Sequence, residues 1–241
     1  MTAHHASAVL VLCLPLLGLA GCAVPGGHHP AGPHEHASAA PDGNLSDTAL
    51  KRNDVHLTLI RDMIANGQYY AALAHIQAQE QVPGGDTQTL KLLEADTRRN
   101  LGQYTAARSL YEALLNGPLN GQALHGLGLL YAHEGDLTRA IADLKQSAKE
   151  LPTDVDVRND LGYALMQAGD YQAALPQLST AAQLAPSELR SRRNLIILMY
   201  LMDRPSDAAR LAARSGLDRT QLLKLRQQAR TMQNQKAAAA G

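Results

Sequence analysis

The segment Leu161–Pro186 reads LGYALMQAGDYQAALPQLSTAAQLAP, and an outline of it occurs one period upstream, where Leu127–Pro152 reads LGLLYAHEGDLTRAIADLKQSAKELP. The two share a Leu-Gly pair, a Gly-Asp pair, an alanine five residues after that glycine, and a closing proline. Aligning on the glycine adds NGQYYAAL (Asn66–Leu73), LGQYTAARSLY (Leu101–Tyr111) and a degraded copy, MDRPSDAARLA (Met202–Ala212). The key positions Gly67, Gly102, Gly135, Gly169 and Asp203 are spaced by 35, 33, 34 and 34 residues. A period of this length confines the chain to a stack of one unit repeated. Composition agrees with helical units. Hydrophobic residues make up 45%, yet Phe and Trp are absent, and a core of Ala, Leu and some Tyr suits close-packed helices better than a sheet.

Over about residues 53–217 this pattern resembles the tetratricopeptide repeat, whose unit is a helix–turn–helix pair. The resemblance implies an all-α fold, an α-solenoid in which the pairs wind into a right-handed superhelix. It also implies a concave groove, lined by the first helix of each pair, that binds segments of other proteins. Residues 218–235 then read as a C-terminal capping helix with a polar outer face, since Asp218 can cap it and Leu222, Leu225 and Met232 share helical spacing. Residues 236–241, KAAAAG, read as a disordered tail.

Each matched residue has a physical task. In the fourth copy Gly162 lets the partner helix approach, Gly169 ends the first helix in the left-handed conformation, and Asp170 caps the second. Tyr171 fills the corner, Ala174 packs where nothing larger fits, and Pro186 stops the second helix. Departures are informative: the second copy has Glu94-Ala95 in place of Leu-Gly, the fifth has Pro205 in place of the corner aromatic, and Pro176 inside a helix predicts a kink.

The amino-terminal segment reads differently. The run AVLVLCLPLLGL, Ala8–Leu19, is too short to span a bilayer and reads as a signal-peptide core. It leads into LAGC, Leu19–Cys22, which resembles a bacterial lipobox, so residues 1–21 read as a lipoprotein signal peptide and Cys22 as the lipidation site. An ordinary secretory signal is the alternative. The opening MTAHH lacks Lys and Arg, which leaves the start codon open. Cys13 and Cys22 are the chain's two cysteines, so a mature protein beginning at Cys22 has no disulfide. The lipobox resemblance implies sorting as well: Ala23, not Asp, follows the cysteine, which favours an outer-membrane anchor facing the periplasm. Residues 22–48, rich in His, Pro and Gly, read as a flexible tether. His28, His29, His34 and His36 could share a metal ion, but nothing fixes their geometry, and a solvated linker accounts for them.

No Walker loop, H-E-x-x-H, G-x-S-x-G or cysteine nucleophile is present, so no enzyme activity, cofactor or small-molecule substrate is expected. Gly84-Gly85 reads as a turn. From Glu188 onward Lys and Arg outnumber Asp and Glu 11 to 4, and before it the balance reverses, 11 to 18. Without interleaved aromatics this asymmetry points to a polar protein partner and not to nucleic acid.

The lipobox, the tether, NDLGYALMQAGDYQAALPQLSTAAQLAP (Asn159–Pro186) and RRNLIILMYLMDRPSDAARLA (Arg192–Ala212) together resemble the TadD family, the repeat lipoproteins of Flp (tight adherence) pilus assembly. That resemblance implies a pilotin-like factor whose partner is the outer-membrane secretin. A type IV pilus pilotin or a cell-envelope assembly scaffold is the alternative. Residues three and four apart share a helix face, and in tetratricopeptide proteins one such face looks into the groove. This places Gln122, His125 and Leu129 there from the third copy. The fourth adds Asn159, Tyr163 and Met166, and the fifth Arg190, Arg193, Asn194 and Ile197. Forked arginine donors suit a carboxylate; a merely solvated basic face is the alternative.

Overall fold

The computed structural model describes residues 42–82 and 87–240, and these form eleven α-helices and no strand. Five antiparallel pairs follow in order: α1 (Asp42–Ala65) with α2 (Tyr69–Glu80), α3 (Thr87–Asn100) with α4 (Tyr104–Glu112), α5 (Asn120–His133) with α6 (Leu137–Glu150), α7 (Val155–Ala168) with α8 (Tyr171–Leu184), and α9 (Leu189–Leu201) with α10 (Pro205–Arg214). A final long helix, α11, spans Arg219–Ala240. The signal segment, Cys22, the four tether histidines and Gly84-Gly85 lie outside the described residues.

The turns follow from the repeated residues. Gly67, Gly102, Gly135 and Gly169 all have φ between 73 and 83°, and Asp203 takes the same left-handed place in the fifth pair with φ 56°. Asp136 and Asp170 then cap the second helices, accepting from the backbone N–H of Arg139 (2.9 Å) and Ala173 (3.1 Å). Asp218 and Gln221 cap α11 reciprocally, each side chain accepting from the other's backbone N–H at 2.7 and 2.9 Å. Pro205 stands in the first turn of α10, where its missing N–H costs nothing. α8 continues through Pro176, with Leu178 and Ala181 beyond it buried.

Close approach needs the small residues. A Cβ on Gly162 would lie 2.6 Å from Leu178 Cγ, and one on Gly126 would lie 2.3 Å from the Tyr111 ring. Among the described residues, most of the buried apolar side chains fall into three cores. The first joins Leu57, Ile60, Ala72 and Ile76 to Leu90 and Leu93. The second gathers around Tyr111, Ala107 and Leu127. The third and largest runs from Leu144 to Ala229. Along the array α1, α3, α5, α7 and α9 pack on one another as well as on their pair partners, as expected of the inner row of a curved stack.

Two boundaries differ from the sequence expectation. Residues 42–48, assigned to the tether by composition, belong to α1, because an existing helix gains a hydrogen bond with each residue added. Residues 236–240, assigned to a tail, continue α11, since alanine is the strongest helix former.

Candidate partner-binding groove

Of the expected groove residues, His125, Asn159, Arg190 and Asn194 are joined in one hydrogen-bonded set and are not free donors. His125, half-buried on α5, has Nε2 2.8 Å from Asp160 Oδ2 on α7. Arg190 on α9 reaches back to the same helix, with Nη1 donating to Asp156 Oδ1 at 2.7 Å and Nη2 to Asp160 Oδ1. Asn159, 1% exposed, donates through Nδ2 to Asp160 Oδ1 at 3.1 Å, and its own Oδ1 accepts from Asn194 Nδ2 at 2.9 Å. A polar ladder thus links three successive inner helices. Burial pushes the Asp160 carboxyl up, but the hydrogen bond and charge of His125, then the charge of Arg190 and the Asn159 amide, hold it below the usual carboxylate range.

This corrects the expectation for Arg190. Its fork, read as a donor for a partner's carboxylate, is occupied by carboxylates of the chain itself. Arg193 is exposed and, among the described residues, makes no ion pair. Gln122, Leu129 and Tyr163 are half-buried. Met166 and Ile197, expected at the groove surface, are 2% and 1% exposed.

Sequence reasoning expected α11 as a capping helix but not the surface it covers. It packs chiefly on α9, burying Leu225 and Ala229 with Ile197 in the largest core while Leu222 and Met232 pack at its edge. Its far end reaches the turn after α7, where the Lys236 ammonium lies 5.3 Å from the Tyr171 ring centroid and close over Gly169. A cation there also suits the negative end of α7. The helix therefore runs across the inner row from α9 toward α7, and does not extend the stack beyond α10.

Concavities lie on this side. One, of about 370 Å³, lies between Arg99, His125, Leu129, Asp156, Asp160 and Arg190. Another, of about 500 Å³, lies between α9 and α11. Arg190, Arg193 and Asn194 form one wall of it, Gln221, Lys224 and Gln228 the other, and Ile197 and Leu225 the floor.

Asp96 and Arg99 were also missed. They sit on α3 beside Tyr111, whose hydroxyl donates to Asp96 Oδ1 at 2.6 Å and accepts from Arg99 Nε at 3.3 Å. Burial raises the Asp96 carboxyl despite these partners, and burial, then Asp96, raises the Tyr111 phenol. The missed acids left one signal: moving Gln122 forward by the 34-residue period lands on Asp156. Among the described residues no cluster of three His, Cys, Asp or Glu is placed to hold a metal ion, and no helix is long and apolar enough to cross a membrane.

The tetratricopeptide repeat family matches residues 92–155 and 159–221. A TPR repeat-containing protein of Pseudomonas aeruginosa, PA4299, is 36% identical over 209 residues, which cover 86% of this chain and 77% of that protein. Among solved structures, TTC0263, a thermophilic TPR protein of Thermus thermophilus, superposes with a TM-score of 0.55 at 21% identity, covering 75% of this chain and 98% of that one. MamA from Desulfovibrio magneticus RS-1 gives 0.51 at 17% identity, covering 73% and 96%. These two structures are similar in fold. The chain belongs to the tetratricopeptide repeat family, and its repeats make it a scaffold for protein–protein interaction.

Proposed function

We propose that the protein is a lipid-anchored scaffold of the outer membrane, facing the periplasm, that helps the secretin of an Flp pilus system assemble. The observation that carries this reading is the pairing, in one chain, of the lipobox Leu19–Cys22 with a five-pair protein-binding array. Acyl chains on Cys22 would contribute about 0.8 kcal/mol per buried CH₂, and several together make a stable anchor. Residues 22–41, poor in large apolar side chains, would let the array reach away from the bilayer. The likeness of residues 155–213 to the TadD family supplies the secretin as partner. The fold is typically non-enzymatic, and the groove offers hydrogen-bonded, apolar-floored surfaces suited to a peptide.

The test has two arms. Mass spectrometry of the membrane-extracted protein should find diacylglyceryl-modified Cys22 as the first residue, and Cys22→Ser should release the protein from membranes. In cells lacking the gene, the heat-stable secretin multimer should be lost, and the wild-type chain but not Cys22→Ser should restore it. A secretin multimer that persists without this protein would discard the pilotin role and favour another envelope assembly scaffold.

A further inference from the structure

The cleft between α9 and α11 has a cation on each side and no acid in its lining. Arg193 stands on one wall and Lys224 on the other. Helix α11 carries Arg219, Lys224, Arg226, Arg230 and Lys236 and neither Asp nor Glu. Arg190, at the edge of the cleft, is neutralised by Asp156 and Asp160. Arg193 and Lys224 meet no carboxylate among the described residues. Like charges facing one cleft repel, and a narrow cavity between helices focuses their field. Below them Ile197 and Leu225 give an apolar floor, with the amides of Asn194, Gln221 and Gln228 around it.

We propose that this cleft docks an acidic segment of a partner protein, with carboxylates between Arg193 and Lys224 and an aliphatic side chain on Ile197 and Leu225, and with α11 in place as its second wall. The space of about 500 Å³ admits several side chains. Charge complementarity is the specificity element, because a neutral segment would leave the two cations facing each other. An anionic bilayer offers the same charge, but a bilayer surface does not follow a recess between two helices. The inference rests on the scaffold reading for having a protein partner, and not on that partner being a secretin.

The full chain is titrated, by fluorescence anisotropy, into a fluorescein-labelled nonapeptide of leucines separated by paired glutamates, and into the same peptide with glutamine for every glutamate. The acidic peptide should bind saturably, less tightly as salt rises, and the glutamine peptide should not. Arg193→Glu with Lys224→Glu should weaken binding on the order of tenfold. Arg226→Glu with Arg230→Glu makes the same charge change at exposed positions of α11 outside the cleft and should alter it less than about twofold. If circular dichroism shows the first pair unfolded, Arg193→Gln with Lys224→Gln replaces it, with a loss still expected. Equal losses for the cleft and control variants would reduce the effect to general cation attraction and overturn the proposal. So would undiminished binding by the folded cleft variant, or flotation on phosphatidylglycerol vesicles that the cleft variant alone abolishes. Peptide binding without secretin capture sinks the pilus reading and keeps the cleft; the reverse sinks the cleft alone.

Discussion

Leu129 on α5 and Ile197 on α9 hold the same place in their repeats, two periods apart, yet Leu129 is half-exposed and Ile197 is 1% exposed. The repeat assigns both to the groove, and α11 separates them. Where α11 lies, inner-row residues such as Ile197 have become core; where it is absent, around α3 and α5, the groove stays open with Arg99, His125 and Leu129 at its surface. Position within a repeat therefore predicts which way a side chain faces, whereas exposure depends on what covers that face.

The strongest way to break this contrast is to end the chain after Asp218. Loss of Leu225 burial alone should cost about 1.5–3 kcal/mol, and Ile197, which lines the same cleft, should become accessible. Hydrogen exchange should accelerate in α7 and α9 and stay unchanged in α1–α4; uniform acceleration would mean that α11 supports the whole array. Overpacking sharpens the same division. Ala174→Trp and Ala107→Trp each fill a fully buried site, at about 1–3 kcal/mol. The first should lower the melting temperature of the covered half, and the second should split the unfolding curve by loosening the open half first. A single shared transition for both would argue against separate cores.

A smaller effect is expected where the ladder joins the two halves. Asp160→Asn removes the carboxylate shared by His125 and Arg190 and should destabilise by about 1–3 kcal/mol, read by chemical denaturation. The smallest concerns the two carboxyls themselves. In NMR titration Asp160 should titrate below, and Asp96 above, the usual carboxylate value of about 3.9. The depressed group contributes stability above pH of about 4 that is lost as pH falls through its folded value. The raised group acts oppositely, because its penalty is present at neutral pH and relieved by acid. Reversed order of the two titrations would overturn the assignment of their causes.

Much of the fold was legible because its signals are local and periodic. Gly169 with Asp170 encodes a turn and a cap within two residues, and the period repeats that message down the chain. Asn159 and Asn194 were both named from the repeat, and the hydrogen bond between them is one that the repeat did not foretell. The fate of Arg190 was not legible, because it depends on Asp156 and Asp160 one helix away. Nor was the placement of α11. Leu222, Leu225 and Met232 announce an apolar face, but a stripe on a helix does not say whether it meets α10 or α9. The amino-terminal readings stand on residues outside those described.

Because the three cores do not merge, this protein should respond to mechanical load in steps. A pull applied between its ends would not be shared by the whole array, since the first core spans α1–α3, the second α3–α5 and the third α6–α11. The core around Ile60 and Ile76 is small and borders a single following repeat, so it should yield first. The core tied down by α11 should yield last. A force–extension trace would then show a weak early rupture, an intermediate one, and a final event releasing the greatest contour length, making the array a graded spring.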